Sequence, residues 1–443
     1  MFVSLPKGSV ATKPVDGPPG IVPRGMLLPF FLVTGLFFLW GVPNNLNDVL
    51  IRQFMKSFAI SRFQAGLVQS AFYLGYFCFA LPAGLLMQKF SYKAGFVTGL
   101  LLFGTGSILF WPAAIVGNYS FFLFALFVLA SGLSFLETAA NPFIANLGSP
   151  ETAERRLTLA QAFNPLGAVA GVLIGTVFIF SGIELNPMQV AKLRAAHQYQ
   201  AYLHMEILRT MKPYIVLGLI AWLWAFVIAR TRLPNLPAHR DVSNATRGGS
   251  WELLRYPHFL FAIVAQFLYV GAQVGTWSYF IQYILQYTHQ PEKIAGYLLT
   301  GTLAAFGVGR FLSAYLMRFI EPYRLMAIYS LCNVCLVGVA MYFPGWLGLW
   351  AIFVTSFFMS VMYPTIFAMG IRQLGDHAKV AASLMVMSIV GGALLTPLMG
   401  MISQVEQSIA MAYVIPMTGY LFIAWYSIWG SHLRPLSIRI RRP

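Results

Sequence analysis

The sequence predicts an all-α polytopic membrane protein with twelve transmembrane helices in two bundles of six. Two observations carry this prediction. Of the 443 residues, 58% are hydrophobic and only 9% are charged, and apolar runs long enough to cross a bilayer recur along the whole chain. Soluble domains are about a quarter charged, so the composition argues against a soluble enzyme, a disordered scaffold or a nucleic-acid-binding protein.

Twelve apolar segments are long enough to be transmembrane spans. They lie at 27–52, 64–88, 95–116, 120–147, 157–181, 213–231, 258–287, 294–317, 325–343, 346–371, 379–401 and 409–430. A polar insertion at 182–212, expected to be partly helical, separates the fifth span from the sixth. We expect a disordered cytoplasmic tail over 1–26, a first bundle over 27–231, a cytoplasmic linker over 232–257, a second bundle over 258–430 and a basic tail over 431–443.

The positive charges predict the orientation of the chain in the membrane. Placing both termini in the cytoplasm puts twenty of the 29 Lys and Arg residues on the cytoplasmic side and eight on the other side. Membrane proteins show this bias because positively charged loops are retained inside. The formal net charge of +16 is therefore a topology signal. The remaining basic residue, Arg310, lies inside the eighth span.

Two acidic residues, Asp48 in span 1 and Glu137 in span 4, lie within apolar spans. A carboxylate at the centre of a transmembrane helix costs about 2.5 to 3.5 kcal/mol, so its presence needs a reason. A carboxyl group shielded from water can exist in its neutral form, which suits uptake and release of a proton. A fixed interhelical ion pair and a hydrogen bond to the backbone are the alternatives, and Arg310 is the only cation in the interior of a predicted span.

Polar side chains near these carboxyl groups share helix faces with them or with each other. Asn45 lies three residues before Asp48, and Asn141 lies four residues after Glu137. Span 5 adds the pair Gln161 and Asn164. Carboxyl and amide groups that converge on a cavity suit a polyhydroxylated ligand, because each hydroxyl both donates and accepts hydrogen bonds. Amides that only stabilise helix packing are the alternative.

Four aromatic residues are the better candidates for a pocket wall: Trp40, Trp277, Tyr279 and Tyr363. The C–H faces of a sugar can stack on such rings. Gln273 lies four residues before Trp277, so the two share a helix face. Tyr363 precedes Pro364 in span 10, which resembles the Pro142 region of span 4 and indicates two related halves.

Twelve spans in two six-helix bundles resemble the architecture of the major facilitator superfamily, whose substrate sites lie near the midplane between the halves. Specific strings make the sequence similar to the L-fucose/proton symporter family of that superfamily. They are FFLWGVPNNLND (37–48), QAGLVQSAFYLGYF (64–77), LETAANPF (136–143), LAQAFN (159–164), YVGAQ (269–273) and YPTIF (363–367). The chain departs from the family pattern at Pro43 and Met362, both of which we expect to touch the pocket.

The resemblance implies a role for each matching residue. It implies that Asp48 is the proton-coupling group and that Glu137 contributes to both coupling and sugar binding. It adds Asn45, Gln161, Asn164 and Tyr363 to the sugar site, while Asn141, Gln273 and Trp277 come from the helix-face argument above.

We therefore expect proton-coupled import of a monosaccharide such as L-fucose by alternating access, in a bacterial inner membrane. Sodium coupling, uncoupled sugar transport and a membrane-embedded sugar sensor are the alternatives. We expect no enzyme activity, because the sequence contains no nucleophile or metal-ligand constellation. No cofactor or metal is expected, and the proton is the coupling ion. The expected partners are the sugar, the proton and the lipid bilayer, without nucleic acid, and the protein is expected to be a monomer.

Overall fold

The structure is a computed structural model that describes residues 22–148, 153–234, 253, 255–317, 319–372, 374 and 378–433. Within these residues, twelve helical segments are long and apolar enough to cross a membrane, which confirms the predicted number. In chain order, spans 1 to 12 are Leu27–Phe58, Arg62–Met87, Tyr92–Val116, Tyr119–Asn146, Leu159–Ile179, Tyr199–Arg230, Pro257–Thr288, Glu292–Leu316, Pro322–Tyr342, Trp346–Gly370, Leu384–Val405 and Ile409–Ile428.

Several spans contain a local break in the helix. Span 1 runs unbroken through Pro43, whereas span 5 consists of Ala153–Gln161 and Phe163–Ile174 followed by one π-helical turn. Span 10 divides into Trp346–Met359 and Met362–Gly370. Span 11 contains a 3₁₀ turn between Ala378–Met387 and Gly391–Val405. Such breaks free backbone groups, which are tolerated in a membrane only where they face protein or a cavity.

The polar insertion is more helical than its composition suggests. Span 6 begins at Tyr199 instead of residue 213. In this added part Leu203, Glu206, Ile207 and Thr210 are buried, at the spacing of one helix face. The first part of the insertion contains a short helix, Pro187–Ala195, that has no buried residues.

The spans alternate in direction, which gives the bundle two ends. We call the end that carries residues 180–198 the insertion end, and the opposite end, where span 6 ends and span 7 begins, the linker end. Most of the predicted linker, and most of both predicted tails, lie outside the described residues.

Glycines let spans 1 and 5 pack closely. A Cβ atom at Gly167 or Gly171 would overlap the carbonyl oxygen of Phe38 or Val42. Small residues of this kind allow two helix backbones to approach each other in a membrane. The contact holds Asn164 beside span 1, where its Nδ2 donates to the carbonyl oxygen of Phe37 at 3.4 Å.

Candidate functional site: a central cavity between the halves

A cavity of about 660 Å³ lies between spans 1–6 and spans 7–12. Its lining includes nine of the residues that the sequence singled out, namely Asn45, Asp48, Glu137, Asn141, Gln161, Asn164, Gln273, Trp277 and Tyr363. The deep wall is buried, with Asp48 3% exposed and Gln69 1% exposed. Gln161, nearer the linker end, is exposed. The cavity therefore opens toward the linker end.

Asp48 accepts hydrogen bonds from both halves of the protein. Its Oδ1 accepts from Gln69 Nε2 and from Ser278 Oγ, each at 2.9 Å. Its Oδ2 accepts from Asn45 Nδ2 at 3.3 Å. Gln69 belongs to span 2 and Ser278 to span 7, so this one carboxyl group connects three helices. Three donors around one carboxyl group fit its deprotonated form, which has only acceptor atoms.

Gln69 and Ser278 were missed by the sequence reasoning. Gln69 Nε2 also donates to Ser278 Oγ at 2.9 Å, so the two residues and Asp48 form a closed triangle. Gln69 could have been found as an amide in the apolar interior of span 2. Ser278 had no comparable signal, because a serine in a membrane helix commonly bonds to its own backbone.

Glu137 lies on the wall formed by spans 2, 4 and 5. The hydroxyl of Tyr76 approaches its carboxyl group without completing a hydrogen bond of normal geometry. Asn141 Nδ2 donates to the Glu137 carbonyl oxygen at 3.2 Å, and Gln161 Nε2 donates to Asn141 Oδ1 at 3.2 Å. The amides thus bond to each other and keep further donors and acceptors for a ligand.

The wall of the cavity that the second half forms has fewer amide and carboxyl groups than the wall from the first half. Trp277 Nε1 donates to Ser356 Oγ at 3.0 Å, which fixes the plane of the indole ring. Phe306 stands edge-on to that ring at 5.2 Å between centroids. Tyr363 and Gln273 complete this wall. A fixed aromatic surface facing polar groups is a common way to orient a small ligand.

The structure corrects three of the residue expectations. Tyr279 does not line the cavity, because its hydroxyl donates to the Arg62 carbonyl oxygen at 2.8 Å near the insertion end. Pro43 and Met362 are also absent from the lining, and both are buried in helix packing. Trp40 does line the cavity.

Polar contacts join the two halves at the insertion end. Arg62 Nη1 donates to the carbonyl oxygen and the hydroxyl of Ser403 at 3.0 and 2.8 Å, and Arg62 Nη2 donates to Gln286 at 3.0 Å. Arg62 belongs to the first half, and its two partners belong to the second. These bonds help to close the cavity at this end.

An ion cluster, formed by Arg52, Lys56, Glu206 and Glu292, crosses between the halves beside that contact. Lys56 Nζ lies 2.9 Å from Glu292 Oε1 and 3.5 Å from Glu206 Oε1, while Arg52 Nε lies 3.5 Å from Glu292 Oε2. Glu292 belongs to the second half and the other three to the first. The insertion contributes as well, since Glu184 accepts a hydrogen bond from the Glu292 backbone N–H.

Comparisons with known proteins agree with this architecture. The family model described as Major Facilitator Superfamily matches residues 30–397. The chain is 43% identical to the L-fucose-proton symporter of Escherichia coli (strain K12), over 89% of this chain and 91% of that protein. The chain belongs to the L-fucose/proton symporter family of the Major Facilitator Superfamily.

A second relative and a solved structure show how far the similarity extends. A glucose/galactose transporter of Brucella abortus is 33% identical over 90% of this chain and 93% of its own length. The crystal structure of FucP, a Major Facilitator Superfamily transporter in the outward conformation, matches with a TM-score of 0.68 and 41% identity. That match covers 91% of this chain and 99% of the FucP chain.

Proposed function

We propose that this chain imports a monosaccharide such as L-fucose together with a proton across the bacterial inner membrane. The observation that carries the proposal is the Asp48 carboxyl group, buried at the closed end of a polar cavity and bonded to both halves. The names of the two most informative relatives, an L-fucose-proton symporter and a glucose/galactose transporter, support the choice of a sugar as the substrate.

The charge distribution assigns the linker end to the cytoplasm. With that orientation, the cavity is open to the cytoplasm and closed toward the outside. The structure then corresponds to the state that releases the sugar and the proton. The outward-open state requires the two halves to rock apart at the insertion end, as in other transporters built from two related bundles.

In the proposed proton step, Asp48 binds a proton while the cavity faces outward. A protonated carboxyl group becomes a donor at one oxygen and, having lost its charge, a weaker acceptor at both. The hydrogen bonds from Gln69 and Ser278 to Asp48 therefore weaken on protonation. Deprotonation toward the cytoplasm strengthens them again, which couples the charge on Asp48 to the contact between the halves.

In the proposed sugar step, the ligand lies between the amide wall and the aromatic wall of the cavity. The proposed sugar-binding residues are Asn45, Glu137, Asn141, Gln161, Asn164, Gln273, Trp277 and Tyr363. Amide and carboxyl groups pair with the hydroxyls, and the rings contact the C–H faces. Glu137 also takes part in coupling, because a sugar bound beside its carboxyl group changes the access of water to that group.

The membrane potential is sufficient to drive accumulation without a cofactor. A proton entering down about 100 mV gains about 2.3 kcal/mol, and each 1.4 kcal/mol corresponds to about a tenfold gradient. One proton per sugar thus supports a gradient of tens-fold before a pH difference is added. We propose the proton as the coupling ion, no bound cofactor, and action as a monomer within the bilayer.

The test of this function compares Asp48→Asn with the parent in proteoliposomes. The variant should lose concentrative uptake of labelled L-fucose under an imposed pH gradient, because an amide cannot exchange a proton. It should retain exchange of external for internal sugar, since the loaded protein can cycle between its two states without net proton transfer. Glu321→Gln is the matched control, because Glu321 is an exposed carboxyl group paired with Arg324 outside the cavity.

Unchanged concentrative uptake by Asp48→Asn would contradict proton coupling through this residue. Replacing sodium in the same assay distinguishes sodium coupling from proton coupling. Abolishing the pH gradient distinguishes uncoupled transport, which does not depend on that gradient. A sugar sensor would bind the sugar without moving it.

A further inference from the structure

Arg310 is a cation inside a membrane span, and the proton and sugar steps above do not use it. It lies on span 8 and lines the central cavity opposite the wall that carries Asp48 and Glu137. Its guanidinium group stacks over the ring of Phe306, 5.0 Å from the centroid. Phe306 in turn contacts Trp277. The charge is thus held at a defined place in the aromatic wall.

The guanidinium group has donors that no described residue satisfies. Its Nε atom is buried and has no hydrogen-bond partner. Among the described residues, no carboxyl oxygen lies within ion-pair distance of Arg310. A cation shielded from water and left unpaired is costly, and residues of this kind inside membrane spans usually mark a substrate or ion pathway.

The two walls of the cavity have complementary hydrogen-bonding chemistry. The first half presents the acceptor oxygens of Asp48 and Glu137, and Arg310 presents only donors, because a guanidinium group has no acceptor atom. Glu137 from the first half and Arg310 from the second line the same cavity together with Tyr363, and Tyr363 lies within electrostatic range of both. A sugar hydroxyl between them could donate to the carboxylate and accept from the guanidinium.

We propose that Arg310 is a sugar-binding residue of the second half, which donates hydrogen bonds to a hydroxyl or ring oxygen of the monosaccharide. This inference rests on the proposed function. A hydroxyl bonded on one side to Glu137 and on the other to Arg310 links the two halves through the ligand. Sugar binding then favours the state in which the halves are close together around it, as alternating access requires.

The experiment measures equilibrium binding to the full-length protein in detergent. The parent is first titrated with L-fucose, D-galactose and D-glucose, and the sugar that binds tightest is compared with its monodeoxy analogues. Arg310→Met should weaken binding of that sugar about 10- to 100-fold, as expected for the loss of a charged hydrogen-bond donor. Arg310→Lys, which keeps the charge and donors, should recover part of the loss.

The decisive readout is the pattern across the deoxy analogues. Discrimination is the ratio of the dissociation constant of an analogue to that of the sugar. In Arg310→Met this ratio should fall to about 1 for one analogue and should stay as in the parent for the others. Equal weakening for the sugar and every analogue would indicate a structural role and overturn the proposal, and so would unchanged affinity. If Arg310→Met does not fold, Arg310→Gln is subjected to the same comparison. Arg324→Met is the control in either case, since Arg324 lies outside the cavity.

A parent protein that binds none of the three sugars would refute the proposed function itself, and the role of Arg310 with it. A parent that binds sugar while Arg310→Met keeps every discrimination ratio refutes the role of Arg310 alone. The two failures are thus distinguishable.

Discussion

At the scale of single residues, the proposed sugar site combines fixed and free groups. Trp277 is fixed by its bond to Ser356 and by contact with Phe306, whereas the atoms of Glu137 and Gln161 that face the cavity can still pair with a ligand. A rigid ring costs little conformational entropy when a ligand binds. Flexible polar groups can then adapt to the hydroxyl pattern of the sugar.

This arrangement makes a prediction for Trp277. Trp277→Ala should weaken sugar binding by about 1 kcal/mol or more, which is about fivefold or more, because an aromatic face against the sugar is lost. Trp277→Phe should retain most of the affinity. Equilibrium binding in detergent measures the effect, and Trp350→Ala is the control, since Trp350 is 48% exposed on the outside of the bundle. Equal affinities for all three variants would show that Trp277 does not contact the sugar.

The sequence was informative at residues whose chemistry conflicts with a membrane span. Asp48 and Glu137 could be found because a carboxyl group in an apolar helix is costly. Ser278 could not be found, since a serine in a span needs no special partner. Glu292 lies at the predicted boundary of span 8, where an exposed carboxylate is normal, yet it is fully buried. Only the three-dimensional packing of two halves reveals such contacts.

At the scale of helices, the contact between spans 1 and 5 positions Asn45 and Asn164 on adjoining surfaces. Sequence periodicity could predict these helices and the small residues between them. It could not place the start of span 6 at Tyr199, because charged residues at 206, 209 and 212 interrupt the apolar run. Their burial depends on a neighbour, since Glu206 bonds to Gln53 of span 1 at 3.0 Å.

The close contact of spans 1 and 5 predicts a strong effect of enlarging Gly171. Gly171→Val should destabilise the protein by about 1 to 3 kcal/mol, because its side chain would overlap the Val42 backbone. Thermal unfolding in detergent should show a fall in the midpoint of several degrees. Gly307→Val is the matched control, since no atom lies within 4 Å of a Cβ at Gly307. If both variants unfold at the parent's temperature, the spans are not as close as described.

At the scale of the whole molecule, the halves meet at the insertion end and separate toward the linker end. FucP, a relative of known structure, is described in the outward conformation, whereas this chain has its insertion end closed by Arg62 and by the ion cluster. The composition could predict two bundles. Contacts between side chains far apart in sequence, such as Lys56 and Glu292, determine which end is closed. No sequence pattern predicts these contacts.

The ion cluster predicts a shift between the two states. Glu292→Gln should favour opening at the insertion end, because Lys56 and Arg52 lose the carboxylate that holds them to the second half. Spin labels at Val116 and Phe343, both exposed at that end, should report a larger population of long distances. Glu321→Gln, at the linker end, should leave the distances as in the parent. An unchanged distribution in Glu292→Gln would mean that the cluster does not hold the halves together.

The central claim is that sugar and proton enter together, and the most direct measurement is the pH of a weakly buffered medium when sugar is added. Cells or right-side-out vesicles containing the parent should make the medium transiently alkaline on addition of L-fucose, and those containing Asp48→Asn should not. Sugar uptake by the parent without any change in external pH would contradict the account.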